Sequence, residues 1–247
     1  MLYLIGTGLY YLKDMPIRAI ELLKTCEEVY LERYTNLNDI SSLKELENKI
    51  GKNIAIASRE VVESEFITRR AQNKIVALLV PGDPLSATTH ISILKDCKEM
   101  HISYEVVHAS SIFTAISESG LSLYKFGATC SLPIFTENFK PESFFDVIEN
   151  NLKMGLHTLL LMEVKNENDF VDVKTALDII KKIEIRRGLK LIDWNTVIAV
   201  SRLGSDNQKI VFATSAGNDL KPPLAMFIPG KLSAVEADTI KILVSKS

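Results

Sequence analysis

Ile75-Val76-Ala77-Leu78-Leu79-Val80 is an unbroken apolar run that leads into Pro81-Gly82-Asp83-Pro84-Leu85-Ser86. An apolar run without polar alternation reads as a strand covered on both faces, and such strands belong to parallel sheets. Proline on both sides of Gly82-Asp83 stiffens the bend that follows and leaves a carboxylate at its rim. In open α/β sheets ligands gather at this carboxyl edge. Asp83 suits two roles there: accepting hydrogen bonds from a ribose or an amine, or capping the helix that follows. His90 reads as a helix residue in a polar contact rather than as a metal ligand.

Outward from this run, strands fit residues 2–5, 28–31, 53–57 and 103–107. Segments of helical spacing lie between them, such as Ile17, Ile20 and Leu23, with Asp14 and Pro16 as a helix start, and Leu43, Leu46 and Ile50. Strand and helix in alternation predict a mostly parallel sheet with right-handed crossovers. Past residue 115 the pattern changes. Strands fit 129–135, 157–164, 195–201, 209–214 and 224–228, and helices fit 142–154, 171–187 and 233–244. Gly204, Asp206 and Asn207 leave no room for a helix between two of these strands, which predicts an antiparallel hairpin and a mixed sheet. The expected fold is therefore α/β with two α/β domains, residues 1–112 with a mostly parallel sheet and residues 113–247 with a mixed one.

The chain has 247 residues, long enough to bury roughly 70–75% of its unfolded surface without covalent staples. The hydrophobic fraction is 47%, the charged fraction 24% and the net charge −2, a balance that argues against a sequence-independent grip on nucleic acid. No apolar stretch reaches the length of a membrane span. Residues 1–12 are apolar but lack a basic n-region and a cleavage site, so they read as a buried strand and loop rather than a signal peptide. The three cysteines, Cys26, Cys97 and Cys130, form no Cys-x-x-Cys pair, and the four histidines are widely spaced. Neither a disulfide framework nor a metal site is expected, and the expected compartment is a reducing cytoplasm.

Gly6-Thr7-Gly8-Leu9 follows the first strand, where glycines would let a backbone approach a ligand. The dinucleotide fingerprint needs a third glycine and an immediate helix; Tyr11 and Pro16 deny both, although Glu32 falls roughly where a ribose-binding acid would. A tight turn with no ligand is the plainer reading. Ser110-Ser111-Ile112 offers hydroxyls and backbone N–H groups at a strand-to-helix junction, either to a ligand or as a helix cap. Tyr124 and Phe126 alternate around Lys125, as in a strand or loop lining a cavity. No Gly-x-Ser-x-Gly elbow supports a hydrolase triad.

Taken together these blocks resemble the diphthine synthases of the tetrapyrrole-methylase-like superfamily, over nearly the whole chain. The resemblance starts at Met1-Leu2-Tyr3-Leu4-Ile5-Gly6 with Gly8-Leu9 and runs through Leu31-Glu32, Tyr34-Thr35, Gly82-Asp83-Pro84, Ala87-Thr88-Thr89-His90 and Ser111-Ile112. Its most specific blocks are Gly120-Leu121 with Leu123-Tyr124-Lys125-Phe126-Gly127, Pro141-Glu142-Ser143-Phe144-Phe145-Asp146, and Gly155-Leu156-His157-Thr158-Leu159. It implies S-adenosyl-L-methionine in a cleft between the two domains, contacting Leu9, Asp83, Ser86, Ser111, Ile112, Met162, Leu203 and Ala225. Tyr10-Tyr11-Leu12 replaces a more acidic segment of the pattern, Ser86 replaces a glycine and Ala225 a histidine.

The resemblance further implies successive methylation of the amine of a 3-amino-3-carboxypropyl group on a histidine of translation elongation factor 2. The implied setting is diphthamide biosynthesis by a cytoplasmic homodimer that engages neither nucleic acid nor membrane. The alternative is a related enzyme acting on a tetrapyrrole or on RNA. Methyl transfer from a sulfonium needs alignment more than a metal or a side-chain nucleophile. No general base is identified; Glu163, at a strand end, is a candidate proton acceptor. Tyr124 reads as a core tyrosine, or alternatively as a wall facing the ammonium.

Overall fold

The structure is a computed structural model and describes residues 1–10, 13–34, 41–166, 168–217 and 219–244; Tyr11, Leu12 and Thr35 of the motifs above lie outside the described residues. The chain divides into two units, Met1–Phe113 and Thr114–Ser247.

In the first unit the elements run β1 (Leu2–Gly6), α1 (Ile17–Thr25), β2 (Glu28–Glu32), α2 (Ser41–Ile50), β3 (Ala55–Ala57), α3 (Arg59–Glu63), α4 (Phe66–Ala71), β4 (Val76–Val80), α5 (Ile91–Glu99) and β5 (Tyr104–Val107). The sheet has five strands in the order β3-β2-β4-β1-β5, and every pairing is parallel. Strand β4 is buried at every position because both faces of the sheet are covered, which is why its sequence shows no alternation. Ala19, Ile20 and Leu23 of α1 and Leu46 and Ile50 of α2 pack with Ile5, Ala77 and Leu79 on one face. Val62, Ile67, Ala71, Ile93, Leu94 and Cys97 pack with Leu4, Leu78 and Val80 on the other.

This division of helices decides where a site can form. The neighbouring strands β1 and β4 send their chains to opposite faces, β1 to α1 and β4 to α5, so a crevice opens at their carboxyl ends. Helix α6 (Ile112–Ala115) carries the chain into the second unit.

The second unit contains β6 (Cys130–Leu132), α7 (Ser143–Lys153), β7 (Thr158–Met162), a small pair β8 (Val164–Asn166) and β9 (Asp169–Phe170), α8 (Val173–Arg186), β10 (Ile198–Ser201), β11 (Lys209–Phe212), β12 (Leu224–Ile228) and α9 (Ala234–Leu243). Its sheet order is β11-β10-β12-β7-β6; β6 pairs parallel with β7 and the remaining neighbours are antiparallel. The sheet is mixed, and β10–β11 is the expected hairpin. The strand expected over 157–164 breaks after Met162, where Glu163 turns the chain into β8. Phe144, Phe145, Ile148, Leu177 and Ile180 of α7 and α8 cover one face of this sheet.

The most specific motif blocks are accounted for by this packing. Phe144 and Phe145 enter the core, while Glu142 and Asp146 of the same block bind Arg187, whose guanidinium also lies 4.9 Å from the Phe145 ring centre. Lys125 pairs with the buried Glu236 of α9, and Phe126 packs edge-on against His157 and Phe227. A side chain on Gly127 would overlap Asn151, which bonds Ala128 and Thr158. Tyr124 is 96% exposed, which corrects the expectation of a core tyrosine. A tight helical turn, Leu123–Lys125, replaces the expected alternation and turns Tyr124 away from Phe126.

Candidate functional site

Three loops meet at the carboxyl edge of the parallel sheet, those following β1, β4 and β5. The first two are joined by a pair of backbone bonds: Gly8 N–H donates to Gly82 O at 3.1 Å and Gly82 N–H to Gly8 O at 2.9 Å. Such close approach explains the glycines. A Cβ on Gly6 would lie 2.6 Å from Gly82 O, and one on Gly8, at φ +72°, would run into Asp14 and stand 2.9 Å from Ser110 Oγ. The glycines of this turn are thus required by loop packing within the protein, not by a phosphate. Gly82 differs. It has φ +75°, and a Cβ there would meet only ordinary contacts, Ser111 at 3.9 Å and Ser110 O at 4.0 Å.

Asp14 organises the first loop. Its Oδ2 accepts the N–H groups of Leu9 and Tyr10, each at 3.1 Å, and the Ser110 hydroxyl at 3.2 Å. The expected helix-start role is therefore corrected: α1 follows Pro16 with no side-chain cap, because the Asp14 carboxylate turns back to the glycine loop. A short acid after Gly-x-Gly is the signal that could have found it, since the exposed N–H groups of such a turn need an acceptor. The Leu9 N–H is already engaged, so a ligand would meet the carbonyl or side chain of Leu9.

Asp83 organises the second loop. Oδ1 accepts Leu85 N–H at 3.0 Å and the Ser86 hydroxyl at 3.1 Å; Oδ2 lies 2.7 Å from His108 Nδ1 and accepts Ala109 N–H at 3.3 Å. Burial works against its charge, yet the bonds from Leu85, His108 and Ala109 outweigh it and hold the carboxyl below the usual carboxylate range. A carboxylate has about four acceptor sites, and all are taken. Asp83 therefore caps its own turn and ties it to the β5 loop instead of capping α5, which begins only at Ile91. Ala87, at φ +58° and exposed, carries backbone strain beside Ser86.

Below this loop, His90 lies 2.7 Å from Glu32 through Nε2 and 3.1 Å from Pro84 O through Nδ1, with both side chains almost fully buried. His90 is thus in a polar contact just before α5, as its sequence position suggested. Glu32, buried with that partner, props the Pro84 turn from beneath and is not a ribose-binding acid. Ser111 is buried and Ile112 half-buried at the start of α6, with Ser111 next to Gly82.

In the second unit, Met162 ends β7, Leu203 follows β10 and Ala225 is the second residue of β12; strand register puts all three at one end of the sheet. Their side chains do not share a face. Met162 packs with Leu132 and Leu160 in the helix-covered core, whereas Ala225 pairs with Leu161 and Val200 on the opposite face. Period-two alternation makes Leu161, not Met162, the β7 side chain on the Ala225 face. Glu163 accepts Ile134 N–H at 2.6 Å through Oε2 and joins β6 to β7 through its backbone, so one of its carboxylate oxygens is engaged in chain packing.

The first-unit loops suit a small nucleoside such as S-adenosyl-L-methionine through their backbone. A Cβ at Gly82 would meet nothing nearer than 3.9 Å, and Asp14 and Asp83, whose carboxylates are spent on the loops themselves, hold that backbone in place. Among the described residues no group of His, Cys, Asp and Glu is arranged to hold a metal, and no helix is long and apolar enough to cross a membrane.

Comparison with known proteins gives a consistent picture. Residues 1–217 match the family model of the tetrapyrrole (corrin/porphyrin) methylases. The chain is 39% identical over 233 residues to the diphthine methyl ester synthase of Saccharomyces cerevisiae, covering 87% of this chain and 78% of that protein. It is 36% identical to the diphthine synthase of Methanococcus maripaludis over 98% of each chain. A crystal structure of an Entamoeba histolytica protein assigned to the diphthine synthases superposes with a TM-score of 0.89 at 33% identity, over 100% of this chain and 99% of the other.

Proposed function

This chain belongs to the tetrapyrrole (corrin/porphyrin) methylases and, within them, to the diphthine synthases, and we propose that it methylates the modified histidine of translation elongation factor 2. It is an S-adenosyl-L-methionine-dependent methyltransferase of diphthamide biosynthesis. The observation that carries this reading is the identity to diphthine synthases over most of the chain, in a protein whose Gly8–Gly82 bridge and Asp83 bend build a cradle at the sheet edge. When bound, S-adenosyl-L-methionine supplies an electrophilic methyl group on a sulfonium.

The protein's part is alignment. In the first unit Leu9, Asp83, Ser86, Ser111 and Ile112 hold the methyl donor. Leu9 and Asp83 do so through backbone groups, since their N–H and carboxylate are already bonded within the loops. In the second unit Met162, Leu203 and Ala225 keep the assignment the resemblance gave them, with Met162 acting through its backbone. Orienting the amine against a fixed methyl group supplies up to roughly 7–11 kcal/mol of the barrier reduction in such reactions. We also take the enzyme to be cytoplasmic and a homodimer; light scattering of the purified chain would read the oligomeric state directly.

The test offers labelled S-adenosyl-L-methionine together with elongation factor 2 bearing the 3-amino-3-carboxypropyl histidine, beside a tetrapyrrole and an RNA control. Label on the elongation factor is the expected result. Label on a control alone would overturn the substrate.

A further inference from the structure

We propose that His108 accepts the proton of the amine to be methylated, with Asp83 as its positioning residue; the inference rests on the reading above. His108 follows β5 at the carboxyl edge of the sheet, and its side chain is 67% exposed while its Nδ1 lies 2.7 Å from the Asp83 carboxylate, itself 9% exposed. The ionised carboxylate can only accept, so Nδ1 carries the ring proton and the tautomer is fixed. Nε2 keeps its lone pair and has no hydrogen-bond partner among the described residues. Because Asp83 also binds Leu85, Ser86 and Ala109, the ring is mounted on the loops after both β4 and β5. An exposed base oriented by a buried acid is the geometry of general-base catalysis.

The other candidates are engaged elsewhere. His157 is fully buried with both nitrogens bonded, and His90 is buried between Glu32 and Pro84. His101 is exposed, but precedes β5 and so stands at the amino edge of the sheet. Asp14 holds three donors, and Glu163 holds Ile134. Around His108 the titratable groups are Asp83 from the β4 loop, Asp14 from the β1 loop through Ser110, and the Glu32–His90 pair behind Pro84.

An alkylammonium has no lone pair, so its proton must leave before nitrogen can attack. His108 Nε2 takes the proton, the N–H bond pair stays on nitrogen, and the imidazolium's charge rests beside Asp83. The nitrogen pair then forms the N–C bond as the C–S bond breaks, its electrons remaining on sulfur in a neutral thioether. The proton passes from Nε2 to water before the next round, and each methylation of a still-protonated amine repeats the sequence.

The experiment is single-turnover methyl transfer with the full chain, saturating methyl donor and the modified elongation factor, over roughly pH 6 to 10 so that the range spans amine titration. His108→Asn, whose amide nitrogen takes the place of the ring Nδ1 and can still donate to Asp83, should lose about 100-fold near pH 7 and recover as pH rises. His108→Ala should be rescued by added imidazole. Both should bind S-adenosylhomocysteine by calorimetry, which separates a lost base from a lost cradle. In the wild type the acid limb of the rate should follow the titration of the His108 ring read by NMR. A limb displaced from that titration, a variant as fast as wild type, or one slowed equally at every pH without rescue would overturn the proposal. A wild type that methylates no amine would instead overturn the reading beneath it.

Discussion

Glu236 Oε1 accepts the Nε2–H of His157 at 3.0 Å, joining residues 79 apart in the chain. Nδ1 of the same ring accepts Gly230 N–H at 2.9 Å, so the imidazole is neutral and held in one tautomer. Glu236 also takes Ser122 N–H, Ser233 N–H, the Ser233 hydroxyl and Lys125 Nζ. One buried carboxylate thus fastens the 120–127 segment and the start of β7 to α9, whose capping box it completes.

Glu236→Ala leaves a buried histidine, an ammonium and backbone N–H groups without their acceptor. It should destabilise the protein by about 3–5 kcal/mol, as removal of one partner from a buried pair does. Urea unfolding followed by circular dichroism measures this, and an unchanged midpoint would show that the cluster contributes nothing.

The same cluster predicts acid lability. Burial lowers the His157 pKa from 6.5 despite Glu236, and bonds from Lys125, Ser233 and His157 hold Glu236 well below 4.5 against its burial. Both groups bind protons more readily when unfolded, so stability falls as pH falls. The decline should begin below about pH 6.5 through His157 and steepen below about pH 4.5 through Glu236. Melting temperatures across that range should show the first phase lost in His157→Gln.

Gly8 and Gly51 share a backbone φ of +72° but differ in surroundings. Gly51→Ala meets nothing within 4 Å and should cost only the left-handed strain, roughly 1–2 kcal/mol. Gly8→Ala adds a collision with Asp14 and Ser110 and should also lose S-adenosylhomocysteine binding by calorimetry. Equal effects of the two substitutions would remove the loop packing from the account.

Asp83→Ala should fold yet lose most methyl-donor affinity, because the bend at 82–86 loses its internal acceptor. Asp14→Asn keeps an oxygen for Leu9 and should lose less, about tenfold or roughly 1.4 kcal/mol. Calorimetric titration ranks the two, and wild-type affinity in Asp83→Ala would exclude the bend from the site.

Tyr124→Ser should change stability by no more than about 0.5 kcal/mol, as exposed substitutions do. Phe126→Ala, two positions on, removes contacts to His157 and Phe227 and should approach the low end of the roughly 3–5 kcal/mol range for core phenylalanines. Chemical denaturation of both variants distinguishes the outward residue from the inward one.

Local pattern in the chain was enough for the alternation of strands and helices, the parallel first sheet, the β10–β11 hairpin and the family. Each of these rests on local pattern: an unbroken apolar run at 75–80, helical spacing from Ile17, turn residues from Gly204. What the polar residues do came from the folded arrangement. Asp14 left its helix for the glycine loop, Glu32 found His90, Glu163 found Ile134, and His108 was set on Asp83. Periodicity reports which face of an element is apolar, because burial of apolar surface is additive and nearly directionless. A hydrogen bond depends on a partner brought within about 3 Å by the fold, often from a distant loop, and no local pattern encodes that meeting.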